Sequence, residues 1–445
     1  MTSPTLVWLR QDLRLDDQPA IATAAAAGPF AALYVLDDEM PGDWAIGGAQ
    51  RWWLHHSLVA LGESLERRGG KLLLRRGSAK KIVAKVADEL GAPTVHATAH
   101  YEPWWSETEK ALGERLTLHS GDTLVSLDAV RTGSGQPFKI YGPFYRALSA
   151  LDVADPVGAP QSISAPDHLP ESDDLADWQL LPTKPDWATG FSIWEPGEDG
   201  AHARLERFED AVGNYAEARD LPSEDGTSML SPHLHFGEIS PRRIYHSLRD
   251  AGGEKFLKEL AWRDFARSAV LADPDVGARS QRNTGIRWRS GKHAVADFLA
   301  WTRGMTGYPI VDAGMRQLWA LGWMHNRVRM LTASFLVKHL LIDWRRGERW
   351  FWDTLVDADY SNNSLNWQWI AGTGIDSQPF NRIMAPLSQS AKFDAASYIR
   401  EWVPELAHLS DEDIHDPQER GSYPAPLIGH KEARERALAA RGSAG

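Results

Sequence analysis

The 445-residue chain contains no cysteine, which removes disulfides, thiolate zinc sites, iron–sulfur clusters and a cysteine nucleophile from consideration. It also lacks a long apolar run. The stretch 20–36 is broken at Gly28-Pro29, and Arg10, Asp12, Arg14 and Asp16 stand close to the N-terminus. Neither a membrane span nor a signal peptide is expected, which leaves the cytoplasm as the default location. No GxGxxG or GxxxxGKS/T motif follows a strand-like segment, so a standard dinucleotide or nucleoside-triphosphate loop is not expected. Asp357 and Asp359 stand two apart, but no glycine and closing glutamate follow at EF-hand spacing, so no metal site is expected.

A surplus of positive charge is missing too, the net charge being −12. What charge there is falls unevenly. Residues 152–199 carry 11 Asp and Glu against one Lys, whereas 279–349 carry 13 Lys and Arg against 4 Asp and Glu. Because steering follows the local field, the second segment has the form of a phosphate-binding face, although a solvated helix surface has the same composition. Tryptophan is abundant, with 20 against 13 Phe and 10 Tyr. Its large flat ring suits stacking on bases or on a planar cofactor.

Patterning divides the chain. Strands are expected at 6–9, 30–36, 71–74 and 94–99, alternating with helices at 19–27, 49–68 and 79–90, the signature of a Rossmann-like, doubly wound parallel sheet. This α/β domain is assigned to 1–130 and is followed by a Pro-rich acidic linker at 131–200. Helical periodicity then dominates, so 201–430 reads as an all-α domain and 431–445 as a tail. The architecture is thus α/β plus all-α.

Three clusters in the helical half carry chemistry. On a helix over 254–272, Glu259, Trp262 and Arg263 share one face, where they suit a base edge, a stacked ring and a phosphate, or an exposed ion pair beside a core Trp. A helix starting at Pro309 and running through Val337 places Trp323, Asn326 and Met330 at i, i+3 and i+7, with Arg329 adjacent. The loop Gly226-Thr227-Ser228-Met229-Leu230-Ser231-Pro232, twelve residues after Tyr215, offers hydroxyls and N–H groups to a phosphate, or serves as an ordinary N-cap.

Together these motifs resemble the photolyase/cryptochrome family over nearly the whole chain. The resemblance is carried by the opening LVWLRQDLRLD, then in order by Gly-Thr227-Ser228, Glu259-Leu-Ala-Trp262-Arg263-Asp-Phe, TGYPIVD, Trp323-Met-His-Asn326-Arg327-Val-Arg329-Met330 and Asn366-Trp367-Gln-Trp369. It implies FAD, reduced and anionic when active, folded into the helical domain. Tyr215 and Thr227, Ser228, Met229, Leu230 and Ser231 match its phosphate and ribityl contacts. Arg329, Asp357, Asp359 and Asn363 match contacts at its ring and ribose. Trp288, Trp344 and Trp367 match a surface-to-flavin electron relay.

The resemblance also selects a lesion. Members acting on (6-4) photoproducts carry paired histidines near this helix, whereas Glu259, Asn326 and Met330 with Trp262 match class I-like cyclobutane pyrimidine dimer photolyases. Arg219, Arg263, Arg327, Trp369 and Arg382 match DNA-contacting positions. The implied activity is light-driven repair of UV-damaged DNA as a monomer, by electron transfer from excited FAD to a flipped-out dimer. A blue-light receptor of the cryptochrome type, with FAD but no repair, is the alternative. A third possibility, a nucleic-acid-binding module without enzymatic activity, accounts for neither the flavin loop nor the relay. Tyr101-Glu-Pro-Trp104-Trp105 replaces a common folate pair, leaving the antenna open between folate, deazaflavin, another flavin-like pigment and none.

Overall fold

The computed structural model describes residues 3–377 and 379–440. Its sheet is all-parallel: β1 (Thr5–Leu9), β2 (Phe30–Leu36), β3 (Leu72–Arg76), β4 (Val95–Thr98) and β5 (Leu116–His119) lie in the order β3-β2-β1-β4-β5. Val7 pairs with Ala32 on one side and His96 on the other. β1 is buried along its whole length and β2 nearly so. Continuous apolar runs such as TLVWL and FAALYVL are what a sheet covered by helices on both faces requires. β5 was not anticipated from the sequence: it is a short edge strand with Leu118 45% exposed, so it lacks an apolar run.

The linker is not a loose tether. Its first part forms the helix Tyr141–Leu148, and its later part is fastened along the α/β domain by Ile163 N–H to Arg68 O (2.7 Å), Phe30 N–H to Ser164 O (3.0 Å) and Asp173 N–H to Leu74 O (2.8 Å). The two domains also lock directly. Arg14, 2% exposed, donates across the boundary to Gly237 O (2.9 Å) while also bonding Gly121 O (3.0 Å) in its own domain, and Trp53 Nε1 donates to Glu238 Oε1 (3.0 Å). Gly237 is required here, because a Cβ would stand 2.0 Å from Gln11 O.

Two expectations need correction. The single helix expected over 309–337 is two helices, Pro309–Leu321 and Asn326–Ser334, the latter running into a π-helical turn at Phe335–His339. Gly322 ends the first in a left-handed conformation (φ 65°), and the His325 side chain caps the second by accepting from Arg327 N–H. Trp323 therefore lies before the helix that carries Asn326 and Met330, and the i, i+3, i+7 face does not exist. The expected tail contains the helix His430–Ala439, docked through buried Ala433 and Ala437, with His430 Nδ1 2.8 Å from His339 Nε2. Residues 441–445 lie outside the described residues.

Candidate functional site

Two adjoining cavities open in the helical domain. The larger, about 730 Å³, is lined by Glu259, Trp262, Asn326, Arg327, Met330, Asn363, Trp367 and Trp369, among others. The smaller, about 260 Å³, is lined by Tyr215, Thr227, Ser228, Met229, Leu230, Arg263 and Asp359, among others. Arg219, Ser231, Glu259, Asn326, Arg329, Asp357 and Asn362 border both, so a bent ligand can occupy the two together.

Local sequence explains the placement. The helix Glu254–Ala272 brings Glu259 and Trp262 to the cavity one turn apart. The helix Tyr360–Ala371 is capped by Asp359, which accepts from Asn362 N–H at 2.7 Å. That cap aims Asn363, Trp367 and Trp369 from the next turns. In the polar loop Met229 adopts φ 49°, a left-handed conformation that a non-glycine residue holds only when its surroundings enforce it.

Charge in the site is paired. Arg329 donates to Asp357 through both terminal nitrogens, at 3.0 and 2.8 Å, and through Nε to Met324 O at 2.6 Å. Arg219 contacts Glu259, and Arg327 Nη2 lies 2.6 Å from Asp220. Beneath the smaller cavity Asp122 receives both Arg263 and Arg267. Burial pushes the Asp122 carboxyl up, but the two guanidiniums outweigh it and hold the group well below the usual carboxylate range.

Arg263 therefore needs correction as a DNA contact. It is 7% exposed, its guanidinium is spent on Asp122 and Leu234 O, and it faces the smaller cavity rather than the surface. Arg382 lies exposed in the segment after Phe380. The basic segment is also less free than its composition suggests: Arg279, Arg289, Arg316, Arg327, Arg329, Arg345 and Arg349 all hold carboxylate partners.

Of the three tryptophans two are buried and one is not. Trp367 (2% exposed) borders the larger cavity, Trp344 (0%) is enclosed, and Trp288 is half-buried against Phe380, ring centres 6.3 Å apart. Gly347 admits Trp367, since a Cβ there would meet its ring at 2.2 Å. Sequence reasoning missed Trp301, fully buried with its ring centre 6.4 Å from that of Trp367; it sits in no recognisable motif. It also missed Asp122 and Arg267, whose pairing spans elements far apart in the chain.

The residues present fit a flavin dinucleotide. The loop hydroxyls suit phosphates, and the half-apolar larger cavity suits a planar ring. Asp359 Oδ2 stands 3.0 Å from Arg267 Nη2 yet off the line of a hydrogen bond, leaving a buried acceptor for a ligand donor. The antenna region is different. In a doubly wound sheet a ligand is expected where strand order reverses, here between β1 and β4. There Arg10 is buried between the Trp8 and Trp105 rings, donates to Thr98 O at the end of β4 and is bonded to Glu109 at 2.7 Å.

Fold and site together define a flavoprotein whose smaller cavity adjoins a larger one with aromatic and polar walls. The chain belongs to the DNA photolyase family: residues 5–161 match the DNA photolyase model and residues 256–443 the FAD binding domain of DNA photolyase. It is 46% identical to the deoxyribodipyrimidine photo-lyase of Agrobacterium fabrum, over 99% of this chain and 98% of that one. A solved class III photolyase from Agrobacterium tumefaciens superposes with a TM-score of 0.93 at 46% identity, covering 99% and 97% of the two chains. An archaeal photolyase from Sulfolobus tokodaii, solved with two FAD molecules, superposes with a TM-score of 0.85 at 29% identity, covering 98% and 99%. FAD is thus the cofactor of the helical domain. Among the described residues no helix is long and apolar enough to cross a membrane.

Proposed function

We propose that this chain is a light-dependent lyase that reverses cyclobutane pyrimidine dimers in DNA. One observation carries the reading: Glu259, Trp262, Asn326, Met330 and Trp369 line a single cavity continuous with the one lined by the Thr227–Ser231 loop. Bound and reduced, FAD supplies the photoexcited electron that opens a cyclobutane ring and is afterwards recovered. The protein's own residues do the rest. Glu259 and Asn326 present an acceptor and a mixed donor–acceptor to the base edges of the dimer, while Trp262, Trp369 and Met330 form flat and apolar walls that displace water. Arg219 and Arg327 hold the flanking phosphates. Tyr215, Thr227, Ser228, Met229, Leu230 and Ser231 hold the cofactor's phosphate side, and Arg329, Asp357, Asp359 and Asn363 its ring side. Trp367, Trp344 and Trp288 form the relay that recharges the cofactor from the surface.

Within the family we place the chain beside the class III enzyme, a refinement of the class I-like resemblance. The α/β domain ends near 130 and the linker near 200, and the catalytic domain extends from 201 through the final helix, His430–Ala439. The test is direct: purified protein given reductant and near-UV or blue light should convert thymine-dimer oligonucleotide to undamaged DNA. Retained FAD with no loss of dimers sinks the proposal.

A further inference from the structure

The linker sends one side chain into the wall of the larger cavity. Tyr141, the first residue of the helix Tyr141–Leu148, packs its ring on Trp262 with centres 4.7 Å apart and planes at 60°, and on Phe265 at 5.9 Å. Its hydroxyl donates to Lys258 O, one turn before Trp262 on the same helix. Its backbone N–H donates to Asp376 Oδ2 at 3.1 Å. Trp262 and Asp376 both line the cavity, and Asp376 holds φ 49°. Tyr141 thus joins two walls of the pocket. Burial and the nearby Glu259 raise the Tyr141 hydroxyl above its usual range, so it remains a donor at every ordinary pH.

We infer that Tyr141 is a positioning residue for lesion recognition, setting the orientation of Trp262 and the distance between the Trp262 and Asp376 walls. The inference rests on the photolyase reading above. Trp262 lines the cavity and is half-buried, with Tyr141 and Phe265 (ring centre 5.4 Å away) packed against it; loss of the nearer Tyr141 ring leaves Phe265 to hold the indole and gives it room to tilt. A tilted indole still packs, but no longer matches a flat guest. The role therefore concerns discrimination between dimer-containing and undamaged DNA more than general DNA affinity or cofactor retention.

The experiment uses FAD-loaded full-length protein and measures Kd for a thymine-dimer oligonucleotide and for its undamaged counterpart. Tyr141→Leu should raise the first Kd about 2- to 10-fold, the scale of a lost aromatic pair, and leave the second unchanged. Tyr141→Phe keeps the ring and should restore discrimination to within about 2-fold of the parent. The double variant Tyr141→Leu/Trp262→Ala should be no worse than Trp262→Ala alone, because Tyr141 acts through that ring. Additive losses, or a Tyr141→Leu protein that discriminates normally while Trp262→Ala does not, overturn the inference and leave the photolyase reading intact. A parent that binds dimers no better than undamaged DNA overturns both. Unchanged FAD absorbance and melting temperature in Tyr141→Leu support the positioning role over a structural one.

Discussion

Arg219 and Glu259 meet in an ion pair on the rim shared by the two cavities, with the carboxylate 40% exposed and the guanidinium 11%. A residue expected to hold phosphate thus already holds the residue expected to hydrogen-bond the dimer. Each orients the other, and under the proposed function a dimer entering the cavity would share Glu259 with Arg219. Glu259→Ala removes both the lesion contact and the orienting charge. Its dimer affinity should fall by about 10- to 100-fold, the scale of a hydrogen bond to a charged group. Undamaged DNA should bind as well or better, since a negative charge near the phosphate path is gone. A binding titration on both substrates decides it; equal losses on the two would show Glu259 to be a scaffold residue only.

Trp288→Phe should separate recharging from repair. The half-buried ring at the outer end of the series leaves the cavity untouched. Photoreduction of the oxidised enzyme, followed by flavin absorbance, should slow at least about 10-fold, while dimer repair by chemically pre-reduced enzyme stays within about 2-fold. Equal loss of both removes Trp288 from the relay.

How much of this was legible in the sequence depends on the distance over which each feature is determined. β1 and β2 announce themselves because a covered parallel sheet demands unbroken apolar runs, and the helix Glu254–Ala272 has both its periodicity and its stop at Asp273-Pro274 written locally. The helix break at Gly322 was read through, since the apolar pattern continues past it and the cap, His325, is an uncommon capping residue. Long-range pairs were invisible. Arg263 looks like a surface cation on a helical wheel, and only the fold brings Asp122 beneath it. The same limit hid Tyr141 in a segment read as linker. Several residues of the family motifs line the two cavities; the pairing of their charges is set by the fold.

Asp264 offers a test of the buried network below the cavity. Its Oδ2 accepts from Leu124 N–H at 2.9 Å, and it is fully buried. Burial outweighs Arg263 and Arg267 and pushes the carboxyl up to about 7. A carboxyl with a raised folded pKa contributes stability that is present below about pH 4 and lost as pH rises through the folded value near 7. Asp264→Asn keeps an acceptor for Leu124 and removes the titration. Its melting temperature relative to the parent should therefore climb between pH 5.5 and 7, by an amount equivalent to about 2 kcal/mol at most, and level off above. A difference that does not grow with pH rejects the assignment.

His325 bears on the last question, whether the lesion is the proposed cyclobutane dimer. Repair of (6-4) products is expected to need histidine as acid and base, and His325 directly precedes Asn326, which borders both cavities, although His325 itself lines neither. Its geometry disqualifies it. The ring is 3% exposed, and its Nδ1 accepts from Arg327 N–H at 3.2 Å, which puts the proton of the neutral ring on Nε2. Burial, reinforced by Arg329 and Arg327 against Asp220, lowers its pKa to about 4. A histidine held neutral in the fold loses stability as pH falls from about 6.5 toward 4, because only the unfolded chain gains the proton in that window. Between pH 6 and 9 it does not change charge, so dimer repair should be flat across that range. His325→Asn retains a capping oxygen and should repair dimers within about 2-fold of the parent, whereas loss of a working acid–base group costs about 100- to 10,000-fold. DNA carrying (6-4) products should remain unrepaired by both proteins. A bell-shaped pH profile centred near neutrality, or collapse of repair in His325→Asn with FAD and melting temperature preserved, would falsify the cyclobutane-dimer assignment and return the histidine to the chemistry.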